Sequence, residues 1–91
     1  MNKSELIEAL AQKKDLSFKK SEEIIHTIFE SMSNALHAGE RIEIRGFGSF
    51  VIKHYKPYVG RNPKTGEAIT VKPKRLPFFK VGKELKEKVD T

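Results

Sequence analysis

The sequence contains no cysteine. That excludes a disulfide framework and any thiolate metal site, and it fits a reducing compartment. No apolar run approaches the ~20 residues of a membrane span. The N-terminal residues Met1 to Glu5 lack the apolar core of a secretory signal. There is no phosphate-cradling glycine loop and no nucleophile motif. His26, His37 and His54 are scattered, with no acid or cysteine at ligand spacing, so they read as surface histidines. Glu22 and Glu23 are adjacent, and adjacent helical residues point in different directions, so they do not make a working carboxylate pair. These absences leave no enzyme, no metal or other cofactor, no small-molecule substrate and no membrane anchor. They leave a soluble protein expected in the cytoplasm.

Acid is also scarce, in one place. From Tyr55 to Leu76 the chain has a single acidic residue, Glu67, against six basic ones: Lys56, Arg61, Lys64, Lys72, Lys74 and Arg75. The stretch is +5. The whole chain has 18 basic and 12 acidic residues, so 12 and 11 remain elsewhere and nearly cancel. Val59, Ile69, Val71 and Leu76 are the only large aliphatic residues of this quarter of the sequence. It cannot build a core. It reads as an arm that leaves the body and meets an anion: nucleic acid, an anionic membrane surface or a ribosomal setting. A chain of 91 residues is a single domain that buries a modest share of its surface. With some of it set aside for an arm, dimerisation is the natural way to complete a core.

Taken in order, Asn2 and Glu5 form a capping pattern. Leu6, Ile7, Leu10 and Ala11 recur at helical spacing. This predicts a first helix from about Lys3 to Lys13. Ser17 is placed to cap a second helix reaching His37, with Gly39 as its stop. Ile24, Ile25, Ile28, Phe29, Met32, Ala35 and Leu36 give that helix an apolar stripe too wide for one short partner. Arg41 to Arg45 alternates strictly, which predicts a strand with Ile42 and Ile44 inward. Glu43 and Arg45 then share the open face, where the carboxylate can hold the guanidinium. Gly46, Phe47 and Gly48 make a tight reversal. Phe50 and Ile52 continue inward on the return strand, with Lys53 outside. Val59 to Arg61 and Ala68 to Lys72 can pair as a ribbon. Asn62, Pro63, Lys64, Thr65 and Gly66 are its turn, and Pro57 and Pro73 suit its edges. Leu76, Phe78, Phe79 and Val81 return as a third strand. Gly82 opens a short helix from Lys83 to about Val89. The division is a helical part (1–39), a sheet (40–54 and 76–81), the arm (55–75) and a C-terminal helix (82–91).

The segments R-I-E-I-R-G-F-G-S-F (41–50), G-R-N-P-K-T-G-E (60–67) and F-K-V-G-K-E-L-K (79–86) resemble the bacterial histone-like DNA-bending family, that of HU and integration host factor. The resemblance covers the whole chain. It implies an α+β fold: an intertwined dimer with a helical body, a short antiparallel sheet and two protruding β-ribbon arms. It also implies double-stranded DNA as the partner, gripped in the minor groove, and a place in the nucleoid.

Pro63 fits two readings. One is a turn proline. The other, which the resemblance favours, is an exposed wedge that slides between base pairs, the turn serving to present the ring. Arg61 and Asn62 either solvate the turn or enter the minor groove, Arg61 for its negative potential and Asn62 for base edges that say little beyond A·T against G·C. Lys56, Lys64, Lys72, Lys74 and Arg75 would be phosphate contacts along the ribbon, giving position without sequence. Arg45 and Glu43 are either a surface ion pair or, by similarity to the β-subunit group of integration host factor, a groove contact beside the body. Lys3, Ser4, Lys53, Lys80, Lys83 and Lys86 would hold DNA against the body flanks, partly at helix starts. Gly46 and Gly48 either let the backbone approach DNA or serve the tight turn alone. The resemblance leaves open a non-specific packager against a site-preferring bender, and a homodimer against a heterodimer with a related subunit. The rival from another class is a structural protein binding RNA or another polyanion.

Overall fold

Asn2 starts the first helix as the sequence predicts. Its side chain accepts from the Glu5 backbone N–H at 2.9 Å, and the Glu5 carboxylate takes the Asn2 N–H at 3.2 Å. A computed structural model describes residues 1–90. Helix α1 spans Lys3–Lys14 and ends at Asp15 in the left-handed conformation, φ 51°. Helix α2 spans Phe18–His37, capped by the Ser17 hydroxyl, which accepts from the Lys20 N–H at 3.1 Å. Strands β1 (Ile42–Ile44), β2 (Gly48–Tyr55), β3 (Tyr58–Arg61), β4 (Ala68–Val71) and β5 (Lys74–Val81) follow, then helix α3 (Lys83–Val89). The α+β class holds.

The chain forms two compact units, Met1–Ala35 and the part from Leu36 onward. In the first, Ile7 and Ile25 are buried and Ser21 is fully enclosed. The Ser21 hydroxyl donates to the Ser17 carbonyl at 3.0 Å, so burial leaves it satisfied. The α2 stripe is covered only in part: Ile28 is 48% and Phe29 45% exposed.

In the second unit, β1, β2 and β5 make an antiparallel sheet in that order, and β3 and β4 make a separate ribbon. The β2–β5 ladder runs out to Tyr55 opposite Lys74, and the β3–β4 ladder resumes at Tyr58 opposite Val71. Pro57 and Pro73 fall in the gap between the ladders, where a missing N–H donor costs nothing. Several strand limits differ by one or two residues from those predicted, and two of them have a visible cause. β5 begins at Lys74 rather than Leu76, because its pairing with β2 continues into the base of the arm. β1 stops at Ile44, because the Phe47 N–H turns back to the Ile44 carbonyl at 2.9 Å and takes Arg45 into the turn.

Register sorts the sheet into two faces. Ile42 pairs Phe50, Phe50 pairs Phe79, and Gly48 pairs Val81, so these share one face with Ile44 and Ile52. The Phe79 ring lies 5.5 Å from that of Phe47 and 4.8 Å from that of Phe50, both tilted. The other face carries Ser49, Val51, Lys53, Leu76, Phe78 and Lys80.

Candidate nucleic-acid interface

The tip of the ribbon is held by its own hydrogen bonds. The Asn62 N–H donates to the Glu67 carbonyl at 2.9 Å and the Gly66 N–H to the Asn62 carbonyl at 2.7 Å. The Asn62 side-chain oxygen accepts from the Lys64 N–H at 2.8 Å. This is the local closure that Asn favours in turns, with Pro next to it setting the backbone angle. Arg61 Nη1 donates to the Gly66 carbonyl at 3.1 Å, and the Thr65 hydroxyl accepts from the Glu67 N–H at 3.3 Å. Pro63 and Lys64 are left exposed at the end of this closed loop. Asn62 is half-buried, with its side-chain oxygen engaged by the turn. Arg61 is exposed and has five N–H donors, one of them committed to the turn.

Between Tyr55 and Lys74 only Gly60, Asn62 and Val71 are other than exposed. Lys56 and Lys72 flank the gap between the ladders. At its base the Lys74 ammonium lies 5.6 Å from the Tyr55 ring centroid. On the same face of the sheet the Lys53 ammonium sits 3.6 Å from the Phe78 centroid, a cation–π contact. Lys80 is on that face too. Lysines 53, 74 and 80 thus form a cationic row leading toward the ribbon, interleaved with Leu76 and Phe78. The sequence reading missed Leu76 and Phe78 as part of this surface. The signal was there: Lys74, Leu76, Phe78 and Lys80 alternate at period two.

One expectation needs correction, and the geometry bears on two others. Glu43 does not hold Arg45. It pairs with Arg41 at 2.9 Å, while β1 ends at Ile44 and Arg45 opens the turn. Arg75 does not stand with the ribbon lysines. Its Nη2 donates to the His37 carbonyl at 3.0 Å, and its register places it on the opposite face from Lys53 and Lys80. Gly48 is buried, and packing accounts for it: a Cβ there would lie 2.6 Å from both the Lys80 carbonyl oxygen and the Phe79 ring. Gly46 has φ +84° and faces the Glu84 carboxylate, so the corner itself explains it.

Lys3 and Ser4 occupy the first turn of α1, in the first unit. Lys83 and Lys86 lie on α3, where Lys83 approaches Glu87 at 3.9 Å. Among the described residues no group of histidines and acids could hold a metal ion, and no helix is long and apolar enough to cross a membrane.

The bacterial DNA-binding protein family matches residues 1–90. The chain belongs to this family. Integration host factor subunit beta of Vibrio cholerae is 54% identical over 91 residues, covering 99% of both chains. The same subunit of Colwellia psychrerythraea is 56% identical, covering 99% of this chain and 96% of its own. Among solved structures, an Anabaena HU–DNA cocrystal structure aligns with a TM-score of 0.88 at 37% identity, over 98% of this chain and 97% of that one. The resemblance to HU and integration host factor therefore holds across the whole chain, with the beta subunits as similar relatives.

Proposed function

We infer that this chain is an architectural DNA-binding protein that binds duplex DNA and bends it. Family membership supports this. So does the tip: an exposed proline on a closed turn, flanked by Arg61 and Lys64, at the end of a stretch carrying +5. Wedge insertion in the minor groove is the mechanism of HU and integration host factor, and it comes to this chain by kinship. Pro63 has the properties of a wedge. Its ring is rigid and apolar, and the five hydrogen bonds around it hold the turn that presents it. Unstacking a base step costs about a few kcal/mol, offset by the longer contact path of a bent duplex. Arg61, Lys56, Lys64 and Lys72 supply groove and phosphate contacts, and counterion release supplies much of the affinity. The chemistry is binding, not catalysis, and the setting is the nucleoid in the cytoplasm.

Two chains complete the molecule. Among the described residues Ile7 and Ile25 are the only buried hydrophobic side chains, while Phe18, Ile28 and Phe29 stay 45–48% exposed. A second chain that covers α2 supplies the missing core, as an intertwined dimer with two arms. The beta-subunit names of the relatives favour a second chain of a related kind and a preference among DNA sites. Arg45, which Glu43 does not hold, is the body residue that would express such a preference.

Replacing Pro63 with Ala tests the wedge. On a duplex labelled at both ends, energy transfer rises on binding of the native protein. With Pro63→Ala the rise shrinks while affinity falls less than about tenfold, since the phosphate contacts remain. An unchanged bend removes the wedge role. No end-to-end shortening by the native protein removes the bending function and favours a polyanion-binding role.

A further inference from the structure

Among the described residues, β2 and β5 carry four Lys and Arg side chains. Lys53, Lys74 and Lys80 share one face. Arg75 is on the other: it pairs across the ladder with His54, on the side of Ile52, Phe50 and Phe79. Its guanidinium donates through Nη2 to the His37 carbonyl at 3.0 Å. His37 is the last residue of α2, and the last four carbonyls of a helix have no partner within it. The Gly39 N–H takes the Leu36 carbonyl at 3.0 Å, and Arg75 takes that of His37. A cation is favoured there by the negative end of the helix dipole. Arg75 also lies one rung from Tyr55 opposite Lys74, the last pair before the proline gap.

We propose that Arg75 is a positioning residue: it fastens the root of the arm to the His37 carbonyl, where α2 gives way to the connection to β1, and makes no phosphate contact. The bond fixes the direction in which β2 and β5 deliver the ribbon. Composition places Arg75 with the arm's phosphate grip. Register and hydrogen bonding separate it from Lys74, its immediate neighbour. The inference deepens the bending function and rests on it for every readout but hydrogen exchange.

The test compares the native protein with Arg75→Ala and Arg75→Lys. Removing one phosphate contact from each chain lowers the slope of log affinity against log salt by about one per chain. For Arg75→Ala the expected slope is native, affinity drops about two- to fivefold, and the bend measured by energy transfer narrows or broadens in distribution. Arg75→Lys keeps a charged donor and restores the bend. In the free protein, Arg75→Ala speeds hydrogen exchange at the amides of residues 38–41. A slope lowered by about one per chain with an unchanged bend overturns the proposal, as do native affinity, bend and exchange together. If the native protein does not bend DNA, the functional reading fails and the exchange experiment alone decides: unchanged exchange overturns the role of Arg75. Should Arg75→Ala not fold, Arg75→Gln is read the same way.

Discussion

The two faces of the β1–β2–β5 sheet carry almost equally exposed phenylalanines and differ in what surrounds them. Phe79 is 37% exposed on one face and Phe78 42% on the other. Exposure does not tell them apart. Their neighbours do. Phe79 stacks with Phe47 and Phe50 among Ile42, Ile44 and Ile52, without a lysine among them. Phe78 lies under the Lys53 ammonium, on the face of Lys74 and Lys80. An apolar aromatic cluster is a surface that protein covers. Aromatic and aliphatic groups spaced by ammonium groups suit a duplex, whose sugars are apolar and whose phosphates are charged. The same two strands thus offer one side suited to assembly and one suited to DNA.

The largest effect should come from exchanging the roles of the two phenylalanines. If a second copy covers the aromatic cluster, Phe79→Ala costs about 3–5 kcal/mol of stability. That is a large share of a typical domain's total. Phe78→Ala should stay within about 1 kcal/mol and weaken DNA binding instead. Urea unfolding of the free protein measures both. Equal losses would mean the faces are not divided in this way.

Gly48 comes next. It lies on the apolar face, and the added methyl of Gly48→Ala meets the Phe79 ring and the Lys80 carbonyl oxygen at 2.6 Å. The carbonyl belongs to the paired strand and cannot swing aside. Overpacking of this kind costs about 1–3 kcal/mol, read as a lower melting temperature. A native melting temperature would show that the corner yields, and Gly48 would return as a position open to DNA.

The helices and the arm were legible because local rules decide them. Asn2 and Glu5 announce a cap, Ser17 another, and Asn62 with Pro63 a turn, each within a few residues. The division into faces was less legible. Leu76, Phe78, Phe79 and Val81 read as one returning apolar strand, and the structure splits them between two surfaces. That split depends on register, which is set across roughly 20 residues of arm between β2 and β5. The face of Arg75 was hidden for the same reason, since its charge is visible in the sequence and its register is not. Glu43 was misread because strand alternation was extended through Arg45, one residue beyond the end of β1.

The smallest effects are those of the lysines taken one at a time, and they probe the DNA side most directly. Lys53, Lys74 and Lys80 share a face, so each should behave alike. Replacing any one with Ala leaves the melting temperature close to native, because a cation–π contact as exposed as that of Lys53 is worth about 0.5–1 kcal/mol. Affinity should respond through salt. Removing one phosphate contact lowers the slope of log affinity against log salt by about 0.9, and removing all three together lowers it by the sum. Arg75→Ala in the same series should leave the slope alone. A row of three lysines that moves the slope, beside an arginine that does not, would divide the basic residues at the arm's base by the face they occupy rather than by their charge.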